Sequence, residues 1–82
     1  MKIKSTSKIN LGKNIKTIVE NKKIKKADII RTMQLSGISM SKQKFYKIEN
    51  NLVNITADEL VLIAEILECD IAEFFKYNKV EE

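Results

Sequence analysis

The stretch Lys42-Gln43-Lys44-Phe45-Tyr46-Lys47 gathers the side chains best suited to binding chemistry in this chain. Wound as a helix from Ser41, it puts Phe45 and Ile48 on one face. Gln43, Tyr46 and Lys47 collect on the opposite face, flanked by Lys42 and Lys44, with no acid among them. Gln pairs bidentately with the edge of adenine, and Lys reaches guanine O6/N7 or a phosphate. A short helix so furnished suits a major groove about 12 Å wide. Lys42, Gln43, Tyr46 and Lys47 are therefore candidates for base reading, and Lys25, Lys26, Ser41 and Lys44 for phosphate contact. A solvated helix uses Lys and Gln as readily, so this segment alone leaves both readings open.

Other chemistries fall away. The 82 residues contain no His and one Cys, Cys69, so Ser/His and Cys/His nucleophile pairs and imidazole or multi-cysteine zinc sites are excluded. Gly12 and Gly37 stand apart from each other, which leaves neither a P-loop nor a dinucleotide fingerprint. Of the two paired carboxylates, Asp58-Glu59 sits at a helix start, where acids have a structural reason to be, and Glu81-Glu82 at the chain end. The chain is expected not to be an enzyme and to need no cofactor or metal. A lone cysteine fits a reducing cytoplasm and is read as a packing residue. No apolar run approaches the roughly 20 residues of a bilayer span, and no secretory signal is visible.

The net charge of +4 conceals a split. Residues 1–47 hold 13 of the 15 Lys/Arg and two of the 11 acids; the remaining residues reverse the balance. Opposite-signed halves in so small a domain suggest one face built for an anion, with nucleic acid and an anionic membrane as the choices. A membrane helix needs its bulky apolar face free, whereas the basic helices here spend theirs on the core.

The elements that must position these residues read as five helices. Leu11, Ile15, Ile18 and Val19 form one stripe behind an Asn10 N-cap, with a break at Asn21-Lys22-Lys23. Ile29, Ile30 and Met33 form a second, ending near Gly37. Ser41 caps the third. Thr56 and Glu59 form a capping box before Leu60, Ile63, Ala64 and Leu67, and Asp70 opens a last helix with Phe74 and Phe75. The expected fold is all-α: residues 1–9 a flexible basic arm, 10–76 the domain, 77–82 a short acidic tail.

Three linked segments carry a resemblance: Phe45-Tyr46-Lys47-Ile48-Glu49-Asn50-Asn51, Glu59-Leu60-Val61-Leu62-Ile63-Ala64-Glu65-Ile66-Leu67 and Asp70-Ile71-Ala72-Glu73-Phe74-Phe75. In order and spacing they resemble the Cro/repressor-type (XRE) helix-turn-helix domain, a five-helix lambda-repressor-like fold. The resemblance implies that helices at about 26–35 and 41–50 form the helix-turn-helix, the second being the reader. Family base contacts then fall on Lys42, Gln43 and Lys47. Lys26 and Asn50 match backbone-contacting positions, and Glu49 a structural acceptor. The chain departs from the pattern in a link about five residues longer between the two helices, in Ile30 for the usual Ala, and in Asn51 for the usual Gly, where Asn is the next residue to tolerate a left-handed backbone.

The resulting expectation is a sequence-specific DNA-binding transcriptional regulator, a repressor by preference, acting on double-stranded DNA as a homodimer at a near-palindromic site. Leu62 and Ile66, placed opposite the core stripe of the fourth helix, are the candidate dimer contacts; the tail, through Tyr77 and Val80, is the rival cover. The alternative function is a protein-binding module, an antitoxin-like partner with secondary DNA binding.

Overall fold

Four helix starts are built by the side chains expected there. In a computed structural model, which describes residues 2–3 and 9–77, Asn10 accepts from the Lys13 N–H at 3.0 Å and opens α1 (Leu11–Lys22). Ser41 accepts from the Lys44 N–H at 3.1 Å and opens α3 (Lys42–Glu49). Thr56 and Glu59 exchange both bonds of the capping box at the head of α4 (Ala57–Leu67). Asp70 accepts from the Ala72 N–H ahead of the last turn. Helix α2 (Lys26–Leu35) has no side-chain cap; Asp28 in its first turn complements the helix dipole instead.

The helix ends share one device. Lys23 and Glu68, one residue beyond α1 and α4, and Gly37 and Asn51, two beyond α2 and α3, all have positive φ. Gly37 (φ 87) lets the Gly37 and Ile38 N–H groups reach back to Gln34 O and Met33 O, closing the α2 end. Lys23 and Glu68 adopt this conformation against an intrinsic cost of about 1–2 kcal/mol each.

The fifth helix is a correction. Residues Ile71–Phe75 form a 3₁₀ helix rather than an α-helix. Five residues are too few for the i→i−4 ladder to repay its nucleation, and the Glu73 N–H bonds Asp70 O instead. Asn14 Nδ2 then donates to Phe74 O (2.8 Å) and Lys76 O (3.0 Å), ending the turn. The arm is also corrected in part. Lys2–Ile3 (β1) pairs antiparallel with Ile55–Thr56 (β2), with Lys2 opposite Thr56, so a segment expected to be free is tied beside the start of α4. Lys4 and Lys8 lie outside the described residues.

The four α-helices and the last turn feed one core. Leu11, Ile15 and Val19 of α1 meet Ile29 and Met33 of α2, Phe45 and Ile48 of α3, Leu60, Ile63, Ala64 and Leu67 of α4, and Phe74 of the last turn. Each buried Leu, Ile or Phe contributes about 1.5–3 kcal/mol, so the apolar stripes rather than helix propensity hold the helices. Leu62 and Ile66 also differ from expectation. They are half-buried and pack against this same core, while Val61 is the outward-facing apolar residue of α4, 46% exposed. A helix buried on more than one side leaves less of its surface uncovered than a single stripe suggests. Tyr77 is exposed, and Val80 lies outside the described residues.

Candidate nucleic-acid interface

Helix α3 is anchored by Phe45 and Ile48, both essentially buried, and this fixes what its other side presents. Lys42, Gln43, Tyr46 and Lys47 are all exposed on that side, as the helical spacing requires. Ser41 is held by its cap, and Asn50 Nδ2 donates to Tyr46 O at 2.9 Å; both are exposed at the two ends of the helix.

Two buried carboxylates fasten α3 to its neighbours. Lys26 Nζ, at the start of α2, lies 2.9 Å from Glu49 Oε1, whose side chain is only 2% exposed. Glu49 Oε2 is buried with no hydrogen-bond partner among the described residues. Lys44 Nζ lies 2.6 Å from Glu59 Oε2, while Glu59 Oε1 accepts from the Thr56 N–H. Burial pushes the Glu59 carboxyl up, but the hydrogen bonds from Lys44 and Thr56, with the Lys44 charge, outweigh it and hold its pKa below the ordinary 4.5. Lys26 and Lys44, expected as phosphate contacts alone, thus have intramolecular partners. Each keeps more than two-fifths of its side chain exposed, so the ammonium can still face an anion. Lys25, just before α2, is exposed.

A third fastening runs between α3 and α1. Asn51 Oδ1 accepts from the Gly12 N–H at 2.9 Å, and Asn51 Nδ2 donates to Asn10 Oδ1 at 2.7 Å. Asn51 therefore caps a helix that begins 40 residues earlier. A Cβ on Gly12 would stand 2.5 Å from the carbonyl oxygens of both Ile48 and Glu49, so only glycine allows this approach.

The six residues joining α2 to α3 are pinned along their length. Ile38 packs on the core, Met40 is buried, Gln34 Nε2 donates to Met40 O at 2.7 Å, and Lys44 Nζ donates to Ser39 O at 3.4 Å. The six-residue link therefore sets the placement of α3 against α2.

Between the two helices runs a groove of about 440 Å³, lined by Lys26, Ala27, Ile30, Arg31, Lys42 and Tyr46 among others. Arg31 is a cation that the sequence reading missed. It lies exposed on the side of α2 opposite the buried Ile29 and Met33, a position that a helical projection of α2 would have revealed. Lys26, Arg31 and Lys42 bring three cations from two helices to one groove. Cys69 is half-buried against the core; burial pushes its thiol above the usual range, with Glu73 and Asp70 adding to the effect against Lys22, so it is no activated thiolate. Among the described residues no helix is long and apolar enough to cross a membrane.

A family model for the Cro/C1-type HTH DNA-binding domain matches residues 14–79, spanning all of α2, α3 and α4. No curated protein and no solved structure matches the chain.

Proposed function

We infer that this chain, which belongs to the Cro/C1-type helix-turn-helix DNA-binding family, is a sequence-specific transcriptional regulator that acts in the cytoplasm, without a cofactor, by occupying its operator. Repression is the simplest outcome of such occupancy. The observation that carries this reading is the outer face of α3: Lys42, Gln43, Tyr46 and Lys47, exposed together on a helix whose inner face is locked in the core. Gln43 and the flanking lysines read base edges, while Lys25, Lys26, Ser41, Lys44 and Asn50, joined by Arg31, hold the backbone.

Binding of the pure protein to duplex DNA over a salt series tests it. Six to ten neutralised phosphates lower affinity by roughly 10³–10⁵ between 50 and 200 mM salt. Gln43→Ala costs about 1–3 kcal/mol on the preferred site and little on random DNA, whereas Lys25→Ala weakens both alike. A salt slope worth only one or two phosphates sinks the reading.

The regulator works as a homodimer on a near-palindromic site, paired through the outer side of α4. Leu62 and Ile66, half-buried at the edge of the core, and the exposed Val61 supply an apolar surface there. Such pairing spaces two reading helices about 34 Å apart, one turn of DNA. Val61→Glu, which leaves the core contacts of Leu62 and Ile66 untouched, is expected to sediment as a folded monomer with most operator affinity lost. A variant that stays dimeric places the interface elsewhere.

A further inference from the structure

We propose that the reading surface contains an apolar seat for the 5-methyl group of thymine, formed by Leu52 beside the Tyr46 ring. The proposal rests on the DNA-binding reading above and specifies one base within it. Lys42, Gln43, Tyr46 and Lys47 wall an open concavity on the outer side of α3, and its fifth wall is Leu52 from the following loop. Backbone geometry puts Leu52 there. Asn51, at φ 59, turns the chain back on itself, and the Leu52 N–H donates to Lys47 O at 2.8 Å. Leu52 is 65% exposed and Tyr46 60%, so neither is covered by the fold.

A single exposed leucine is unremarkable on a protein surface, but two large apolar side chains in one concavity, beside Lys42, Lys47 and the Gln43 amide, make a selective surface. The cations favour a polyanion. In the major groove of a duplex, the base edges offer donors and acceptors throughout, with one apolar group among them, the methyl of thymine. Leu52 and Tyr46 match that group, and the neighbouring Gln43 suits the adenine of the same or the adjacent pair. The seat therefore predicts a thymine next to the base that Gln43 reads.

The test begins by selecting the preferred duplex of the wild-type protein from a randomised pool. That duplex is then resynthesised with each thymine in turn replaced by deoxyuridine, which lacks only the methyl. One thymine per half-site is expected to matter, its methyl contributing roughly fourfold in affinity, the worth of one buried CH₂, about 0.8 kcal/mol. Leu52→Ala is expected to bind the thymine duplex about fourfold more weakly, to ignore the thymine-to-uracil change at that position, and to melt like the wild type because Leu52 is exposed. A preferred duplex with no methyl-sensitive thymine overturns the seat alone, as does a Leu52→Ala variant that still discriminates. If selection yields no preferred duplex, the DNA reading fails and the seat fails with it.

Discussion

The seam between α3 and α1 and the seam between α3 and α4 hold the same helix by different physics. Toward α1 the contact is neutral and close: Gly12 lies against the last carbonyls of α3, and Asn51 bonds both the Gly12 N–H and the Asn10 side chain. Toward α4 the contact is an ion pair, Lys44 with Glu59, partly open to solvent on the lysine side. The first seam depends on shape and is indifferent to pH. The second depends on charge and tolerates exposure. A helix whose outer face is exposed is thus positioned from behind by contacts that do not use that face, apart from Lys44 at its edge.

The shape-dependent seam is the easier to break. Gly12→Ala puts a methyl 2.5 Å from two backbone oxygens, and neither oxygen can swing away as a flexible side chain would. The expected loss is about 3 kcal/mol, at the upper end for overpacking and a large share of a small domain's stability. In a domain of this size that lowers the melting temperature by about 12–24 °C. A Gly12→Ala protein that melts within a few degrees of wild type would show that the two helices separate freely.

Asn51→Gly sharpens the same seam without touching its spacing. Glycine keeps the left-handed backbone at this position and deletes both side-chain bonds. The Gly12 N–H, one of the unpaired donors of the α1 start, then loses its acceptor, at a cost of about 1–3 kcal/mol. Unfolding in urea checks it: a lower midpoint with an unchanged slope is expected. No change in midpoint would mean that the backbone turn, rather than the amide, is what the position requires.

What could be read from the sequence follows the range of each interaction. Caps at Asn10, Ser41, Thr56 and Asp70 act within three residues, and the stripes of α1, α2 and α4 follow helical spacing, so both were legible. The pairing of Asn51 with Gly12 spans 39 residues and that of Lys26 with Glu49 spans 23, and no local pattern announces either. Gly12 looked like an isolated glycine because its reason lies in the backbone of another helix. The exposed face of α3 emerges from spacing alone, since Phe45 and Ile48 have to point inward. Leu52 does not, because it joins that face only through a left-handed turn. Leu62 and Ile66 were placed opposite a single stripe, whereas α4 is enclosed widely enough for both to touch the core.

The charge-dependent seam is expected to give the smallest effect at neutral pH and the clearest signature in acid. Lys44→Met removes a partly exposed ion pair, worth under about 1 kcal/mol at pH 7. In the wild type, burial raises the Glu59 carboxyl, but the Lys44 and Thr56 hydrogen bonds and the Lys44 charge bring it below the ordinary 4.5. A folded-state value below the unfolded one means that the unfolded chain takes up the proton more readily. The stabilisation is therefore complete above about pH 4.5 and is lost as pH falls through the lowered folded value. Without Lys44, burial opposes only the Thr56 bonds, so the folded value moves up toward the unfolded one and the pH-dependent stability shrinks. The two proteins differ only at residue 44, so the difference between their stability curves isolates this pair. Melting temperatures measured from pH 7 down to pH 3 are expected to differ at the top of the range and to converge at the bottom. Curves that stay parallel would mean that Lys44 acts through the packing of its methylenes, and the α3–α4 seam would then be no more electrostatic than the α3–α1 seam.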